Sequence, residues 1–502
     1  MMGSLSSLAW GQGGNLDGIG HYGTSQAPRS AMTEPLVEAE STTGSEKKSL
    51  ANLAPVLYPF FNNGPVYGLP GTISGDFWER TQLTGDWLGR RAELADRGLF
   101  FDLYTTSTYQ NLTSGGIAPG DWYAQNTQLS LNLDTGRAGL WDGGLIHFTA
   151  QSRYGANPQT TFNAGTSVPV YTGLVEPDPM ASSTLLPSEY FYLQALNERT
   201  SFLVGKISDV YIPDQTLFGD SYKFYFSNFA LNKNPITTNF YNPTAWAMLG
   251  IWAPNEKLAF AGGLLDPNSK SQNLATRAYD GVNVYLTAVA SYDLAGLPGQ
   301  FSPAFNWSNQ DQIDLRDPYG TLAPGQVPQA IGALLGLGPT TNLPVNYANS
   351  SLFLIANLSQ YLYIVDSPAT VAEKLRSGQP LRGIGVFGRA GWAPERTNTI
   401  TADGSIALFA RGLAEARPDD SFGVGWYVNG ISSDFKHQIT DLTDGARTVS
   451  NEQGLEIFYD YAVTPWIRVI PSYQHIWNPL SAQVVSGNNH CDLWMIRTTV
   501  VF

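Results

Sequence analysis

Hydrophobic and polar residues alternate with a period of two along most of this chain. In the closing segment CDLWMIRTTVVF (491 to 502), Trp494, Ile496, Thr498, Val500 and Phe502 fall on one side, with Asp492 marking where that side leaves the apolar zone. Upstream, Leu455, Ile457, Tyr459 and Tyr461 alternate with Glu456, Phe458 and Asp460, Thr464-Pro465 interrupts, and Ile467, Val469 and Tyr473 then alternate with Arg468, Ser472 and Gln474. That is a hairpin followed by a terminal strand. The same pattern places Leu99, Phe101, Leu103 and Thr105 opposite Asp102, Tyr104 and Thr106. It also places Leu129, Leu131 and Leu133 opposite Gln128, Ser130, Asn132 and Asp134, and Ile146, Phe148 and Ala150 opposite His147, Thr149, Gln151 and Arg153. Further strands are predicted near 189–197, 201–209, 244–254, 257–266, 280–293, 299–308, 350–364, 383–393, 402–413 and 421–432, which makes about sixteen.

The connections add a second pattern. Tight turns are predicted at 197–201, 254–257 and 463–466, and long Pro-, Asn- and Gly-rich loops at 155–188, 210–243, 309–349 and 478–490. Tight turns on one rim and long loops on the other characterise bacterial outer-membrane barrels, with both termini on the tight-turn side. A last strand pairing back on the first removes the open edges that lipid forbids. The expected fold is therefore all-β: an antiparallel transmembrane β-barrel of about sixteen strands over residues 99–502. A short periplasmic helical segment is expected before it, at 76–98, where Asp86 caps, Glu93 stands four before Arg97, and Gly98 supplies a left-handed stop. Residues 1–75, rich in Ser, Gly, Thr, Glu and Pro without periodicity, are expected to be disordered. MMGSLSSLAWGQGGNLDGIG lacks the basic residues and continuous apolar core of an export signal, so either the true start lies upstream, or the segment reflects how the chain was defined, or the protein is not exported; the rest of the chain favours the first two.

Composition narrows the class. Charged residues are 14% of the chain, well below the quarter usual in soluble domains, while 13 Trp, 25 Tyr and 24 Phe make it rich in aromatics. No run approaches the roughly 20 apolar residues of a spanning helix. A net charge of -14 without Lys/Arg clusters argues against a nucleic-acid partner. The single cysteine, Cys491, leaves no disulfide framework.

GDWLGRRAELADRGLFFDL (85 to 103), RPDDSFGVGW (417 to 426) and TPWIRVIPSYQHIWNP (464 to 479) resemble the signatures of the carbohydrate-selective porins, the OprB-type family of Gram-negative outer membranes. The resemblance covers about residues 83 to 502. It implies a 16-stranded barrel through which sugars diffuse down their gradient, with a lumen narrowed by infolded loops.

A barrel of this size is too wide to fill with side chains, so an aqueous, polar-lined interior is expected. An Arg or Lys turned to lipid at mid-depth costs about 2–4 kcal/mol, which assigns the strand charges Asp102, Arg153, Arg389, Glu456, Asp460 and Arg468 to the lumen as the candidate solute pathway. Mixed signs, acceptors and fork-shaped donors suit neutral, hydroxyl-rich sugars. Inward charges also pair with one another to hold a barrel's shape, and that structural role stands beside solute contact for each residue. Trp392, Trp466, Trp477 and Trp494 fit interfacial aromatic girdles.

Other motifs carry no chemistry. GIGVFG (383 to 388) matches a dinucleotide fingerprint formally, but strand alternation runs through it to Trp392. GDS at 219 to 221 lacks a nucleophile elbow, and the five histidines lack metal-ligand spacing. No catalytic constellation, cofactor or metal is expected. The expected partners are sugars as solutes and outer-membrane lipid, with monomer and homotrimer both open. Two alternatives remain from residues alone: a general porin for other small solutes, and a soluble exported carbohydrate-binding or carbohydrate-cleaving β-protein.

Overall fold

The computed structural model describes residues 73, 75–155, 159–174, 185–207, 223–240, 244–255, 257–269, 281–376 and 381–502. Nearly all of the expected disordered segment 1–75 lies outside these residues, as do GDS 219–221, the strand positions 208, 209 and 280, and parts of the long connections.

The strands run in chain order. The first nine are β1 Leu99–Gly115, β2 Gly120–Asp134, β3 Gly144–Gly155, β4 Leu185–Asn197, β5 Thr200–Ile207, β6 Ala245–Asn255, β7 Leu258–Leu265, β8 Asn283–Leu294 and β9 Leu297–Ser308. A small pair, β10 Gln312–Ile313 and β11 Tyr347–Ala348, lies within one long loop. The last seven are β12 Ser351–Ile364, β13 Gly383–Trp392, β14 Ile400–Arg411, β15 Ser421–Ile431, β16 Glu452–Thr464, β17 Ile467–Trp477 and β18 His490–Val501. Sixteen of them, all but β10 and β11, form one closed barrel in which β18 returns to β1.

The closing seam is antiparallel from Tyr104 opposite Val501 to Gly115 opposite Cys491, with one bulge between Leu112 and Ser114. Across it the Thr106 and Thr499 hydroxyls lie 3.1 Å apart. Gly115 sits at φ +69, and a Cβ there would lie 2.0 Å from the His490 carbonyl oxygen, so this corner requires glycine. Both β1 and β2 extend further than the alternation of oily residues predicts. Ser107, Asn111 and Thr113 show polar side chains outward, so hydrogen bonding carries these strands beyond the apolar band.

Inside and outside follow the predicted faces. Trp494 and Ile496 are exposed on the outer surface, whereas Cys491, Leu493, Met495, Arg497 and Thr499 are buried. Strand β13 runs straight through GIGVFG, as the alternation requires. No helix among the described residues is long and apolar enough to cross a membrane.

On one rim the turns are tight. Ala295 and Gly296 between β8 and β9 both have positive φ, 55 and 78, the geometry of a twist-matched two-residue hairpin. Longer connections on that rim lie at 135–143, at 412–420 and between β12 and β13, the last carrying the helix Pro368–Arg376. On the other rim, the loop 309–349 is built rather than irregular. Its apolar AIGALLGLGP stretch contributes to the helix Val327–Leu334, and salt bridges tie the loop to its neighbours, Asp314 to Arg396 and Arg316 to Asp434. Before the barrel, the helix Arg90–Asp96 ends at Gly98 (φ 83), and Arg97 pairs with Glu93 at 2.7 Å. Its N-cap is Gly89 rather than Asp86, but the Asp86 carboxylate still accepts the Ala92 N–H at 2.9 Å.

In the turn between β14 and β15, burial pushes the Asp420 carboxyl up. The Arg417 guanidinium at 2.8 and 2.9 Å, the Tyr459 hydroxyl at 2.5 Å and the Ala462 N–H at 3.0 Å outweigh that effect and hold it below the ordinary carboxylate range. A depressed carboxylate stabilises the fold above its ordinary pKa of about 3.9 and ceases to as pH falls through the folded value. Asp420→Asn is therefore expected to lower the temperature at which the folded band is lost on a detergent gel near pH 7. The gap from the unaltered protein should shrink as pH falls below the ordinary value and close once pH is below the folded value, where the carboxyl is protonated in both states. Equal midpoints near pH 7 would remove this contribution.

Candidate functional site

The barrel interior is crossed by chain. Residues 223–237 are buried without interruption although they connect β5 to β6 and belong to no strand. They contain a short helix, Phe229–Asn232, capped by the Asn228 side chain accepting the Ala230 N–H at 2.9 Å, and a 3-10 turn, Pro235–Asn239. A second segment from the β3–β4 connection, around 164–172, is buried beside it, with the Thr172 N–H donating to the Ser227 carbonyl at 2.9 Å.

Two carboxylates four residues apart on β16 hold both segments. Glu456 accepts the Ser227 N–H at 2.8 Å, the Ser227 hydroxyl at 2.6 Å and the Asn228 N–H at 2.8 Å. Glu452 accepts the Ser167 N–H at 2.6 Å, the Ser167 hydroxyl at 2.8 Å and the Leu480 N–H at 3.0 Å. Bonds of this kind, to a charged acceptor, contribute roughly 1.5–3 kcal/mol each. Period two explains the arrangement: on β16 the even-numbered positions face inward, so 452, 456 and 460 share one row.

Other strands add anchors. Arg389 on β13 donates to the Leu231 carbonyl at 2.8 Å, and Arg497 on β18 to the Tyr225 carbonyl at 2.5 Å. The Lys223 ammonium donates to the Gln128 side chain at 2.6 Å, and Gln474 donates to the Ser227 hydroxyl at 2.8 Å and accepts from the Asn228 side chain at 2.9 Å. Apolar contacts complete the fit. Phe226 meets Phe458 edge-on with ring centroids 4.8 Å apart and Phe387 at 5.8 Å. The inward glycines of β15 make room, since a Cβ on Gly423 would come within 2.8 Å of the Phe226 ring and one on Gly425 within 2.8 Å of the Leu231 side chain.

All six residues assigned to the lumen from sequence point inward. They do not meet in one cluster, and none exposes more than 3% of its surface. Glu456 and Arg389 hold the inserted segment. Asp460 and Arg468 form a buried pair, with the guanidinium Nε 2.8 and 2.9 Å from the two carboxylate oxygens and a further bond to the Asp419 carbonyl at 2.6 Å. Asp102 faces Arg91 at 3.4 Å and Gln82 at 3.2 Å, near the seam. Arg153 lies opposite Asn126 across β2 and β3. The structural role set beside solute contact in the sequence is what the geometry describes: these charges face protein groups, and an aromatic cluster shares the interior with them. Sequence reasoning missed Glu452, Ser227, Asn228 and Lys223 because nothing local marks a loop that folds inward. The glycines at 423 and 425, alternating with Phe422, Val424 and Trp426, were the one available sign that something presses on that wall.

The three stretches singled out by resemblance all take part. RPDDSFGVGW supplies Arg417, Asp420 and the two glycines, TPWIRVIPSYQHIWNP supplies Arg468 and Gln474, and GDWLGRR supplies Arg91, which donates to the carbonyl of the last residue, Phe502, at 3.0 Å. The sequence profile of the carbohydrate-selective porins, the OprB family, matches residues 118–502. The chain belongs to that family. Pseudomonas putida OprB in its high-pH structure is similar in fold, with a TM-score of 0.69 at 17% identity, covering 85% of this chain and 100% of that one. The low-pH structure of Pseudomonas putida OprB gives a TM-score of 0.49 at 15% identity over 84% and 99% of the two chains. Vibrio cholerae OmpT gives 0.43 at 11% identity over 81% and 98%. No curated protein sequence matches the chain. This OprB-family porin is a sixteen-stranded barrel of the outer membrane and a pathway for carbohydrates.

The anchoring of residues 223–237 is expected to set how far the porin's lumen is closed. Glu456→Gln turns one of the two accepting oxygens, which face the Ser227 and Asn228 N–H groups, into a donor and weakens bonds of roughly 1.5–3 kcal/mol each. Single-channel recordings in planar bilayers should then show higher or noisier conductance than the unaltered porin. Identical traces would mean that these bonds do not hold the segment in place.

Proposed function

We propose that the porin passes mono- and small oligosaccharides passively between the inserted segments and the barrel wall, with no cofactor and no covalent step. The observation that carries this reading is the inward anchoring of 223–237 within a carbohydrate-selective family. A wide barrel becomes selective only when something narrows it. In this reading Asp102, Arg153, Arg389, Glu456, Asp460 and Arg468 act mainly by fixing the shape of the passage, since each is engaged by protein rather than presented to solvent. Selectivity for neutral solutes follows from their mixed signs, because no single charge dominates. Because a single chain closes the barrel, the proposed passage is formed within one chain, whether the porin is monomer or homotrimer, and outer-membrane lipid is its surrounding partner.

Liposome swelling tests the proposal. Proteoliposomes in isotonic glucose or a disaccharide should swell faster than protein-free vesicles, with the rate falling as saccharide size rises. Added sugar should also block the ion current saturably. Swelling no faster than in protein-free vesicles would reject passive sugar transport, and current that sugar leaves unchanged would favour a general porin.

A further inference from the structure

The segment preceding β1 shows apolar side chains to its surroundings. Phe77, Trp78 and Trp87 are 39%, 66% and 45% exposed, and Leu88 is fully exposed at 105%. These residues are not scattered. Trp87 stacks on Phe101 with ring centroids 5.0 Å apart, and Phe101 is an outward residue near the start of β1. Phe77 meets Trp466 at 4.9 Å, and its carbonyl accepts the Trp466 indole N–H at 2.9 Å. Trp466 lies in the tight turn joining β16 to β17. The exposed set therefore continues the barrel's outer face at the rim where the termini lie, on both sides of the closing seam.

The backbone holds the tip of this segment in an unusual shape. Trp87 and Leu88 both have positive φ, 51 and 60, and Gly89 follows at 88. Two consecutive non-glycine residues in the left-handed region are strained and persist only where surrounding bonds determine them. Those bonds are present: the Asp86 carbonyl accepts the Gly89 and Arg91 N–H groups at 3.1 and 3.2 Å, and the Asp86 carboxylate accepts Ala92 N–H at 2.9 Å. Arg91, buried to 2%, donates to the Phe502 and Phe101 carbonyls at 3.0 and 2.9 Å, which fixes the turn to the foot of the barrel. The effect of the strain is to aim Leu88 away from every protein contact. Beside it stand two cations, Arg90 and Arg97, with side chains 75% and 74% exposed; both pair with Glu93, at 2.8 and 2.7 Å, so the trio keeps a net positive charge of one.

We propose that Gly85–Leu88, with Phe77 and Trp78, is an interfacial membrane anchor. Trp87 and Leu88 enter the inner, phospholipid leaflet of the outer membrane next to the foot of β1, and Arg90 and Arg97 lie at the level of its phosphates. Aromatic residues favour this boundary because their rings are apolar with a polar edge, and basic side chains favour its anionic headgroups. Lipid is the occupant, rather than a second copy of the chain, because the patch is continuous with an outer face that lipid covers in any barrel and because cations flank it. The segment thus does two things at once: Arg91 clasps the seam, and Trp87-Leu88 fixes the height of the barrel in the bilayer.

The test places an environment-sensitive dye on the full-length porin. Leu88→Cys and, as the control on the same helix-turn unit, Asp96→Cys are each made in a Cys491→Ser background, labelled, and reconstituted into phosphatidylethanolamine and phosphatidylglycerol vesicles. Heat-modifiable migration shows that each labelled barrel is intact. At position 88 the dye should be blue-shifted and quenched several-fold more by lipid carrying a doxyl group high on the acyl chain than at position 96. Aqueous iodide should quench the two in the opposite order. Iodide access at 88 equal to that at 96, without doxyl quenching, would overturn the proposal. So would shielding from both quenchers, which would mean that protein covers the patch.

Discussion

Within a bilayer no water is available to satisfy a peptide N–H or C=O, and each unpaired group costs several kcal/mol. For strands the remedy is closure: every strand must have two neighbours, including the first and the last. In this porin the condition is met where β1 and β18, at opposite ends of the sequence, pair from Tyr104–Val501 to Gly115–Cys491. Period two follows from it, because a closed sheet has one face toward lipid and one toward the interior. The placement of charge follows in turn, since Arg468 or Glu456 one position along would stand in hydrocarbon.

Closure also creates the interior problem. Sixteen strands enclose more width than side chains from the wall can fill. Here the chain itself enters, and what keeps it there is chemistry on the inner face. Glu452 and Glu456 present carboxylates to loop N–H groups, Arg389 and Arg497 present guanidinium groups to loop carbonyls, and Phe226 packs among Phe387 and Phe458. Anion for N–H and cation for C=O is a complementary arrangement that a free loop would not reach by itself. The same inner charges that keep the lipid face apolar therefore also hold the chain that occupies part of the interior.

This division explains what could be read from the residues in order. The strands were legible because alternation is local: five residues such as Trp494 to Thr498 already reveal which face each occupies. The inward direction of Asp102, Arg153, Arg389, Glu456, Asp460 and Arg468 was legible for the same reason, from the cost of a charge in lipid. Their partners were not. Ser227 lies 229 positions from Glu456, and Ser167 lies 285 from Glu452, so no window contains both halves of either contact. Phe458, which shares the face of Glu456 and Asp460, is a packing residue of the interior. The inner fit of Gly423 and Gly425 has a visible trace in the sequence but only part of its cause there: Phe458 on the next strand presses on Gly423, while Phe226 and Leu231 arrive from a loop.

The central claim is that the chain closes on itself in the stated register, and a crosslink across the seam tests it most directly. With Cys491 replaced by serine, cysteines at Thr106 and Thr499, whose hydroxyls are 3.1 Å apart, should form a disulfide rapidly when the folded porin is oxidised. After boiling, the product should migrate as a circularly constrained chain until it is reduced. A pair displaced by two residues along β18, Thr106 with Arg497, should crosslink far less. No crosslink at 106 and 499 in folded protein, or equal yields for the two pairs, would contradict the register and with it the closed barrel on which transport depends.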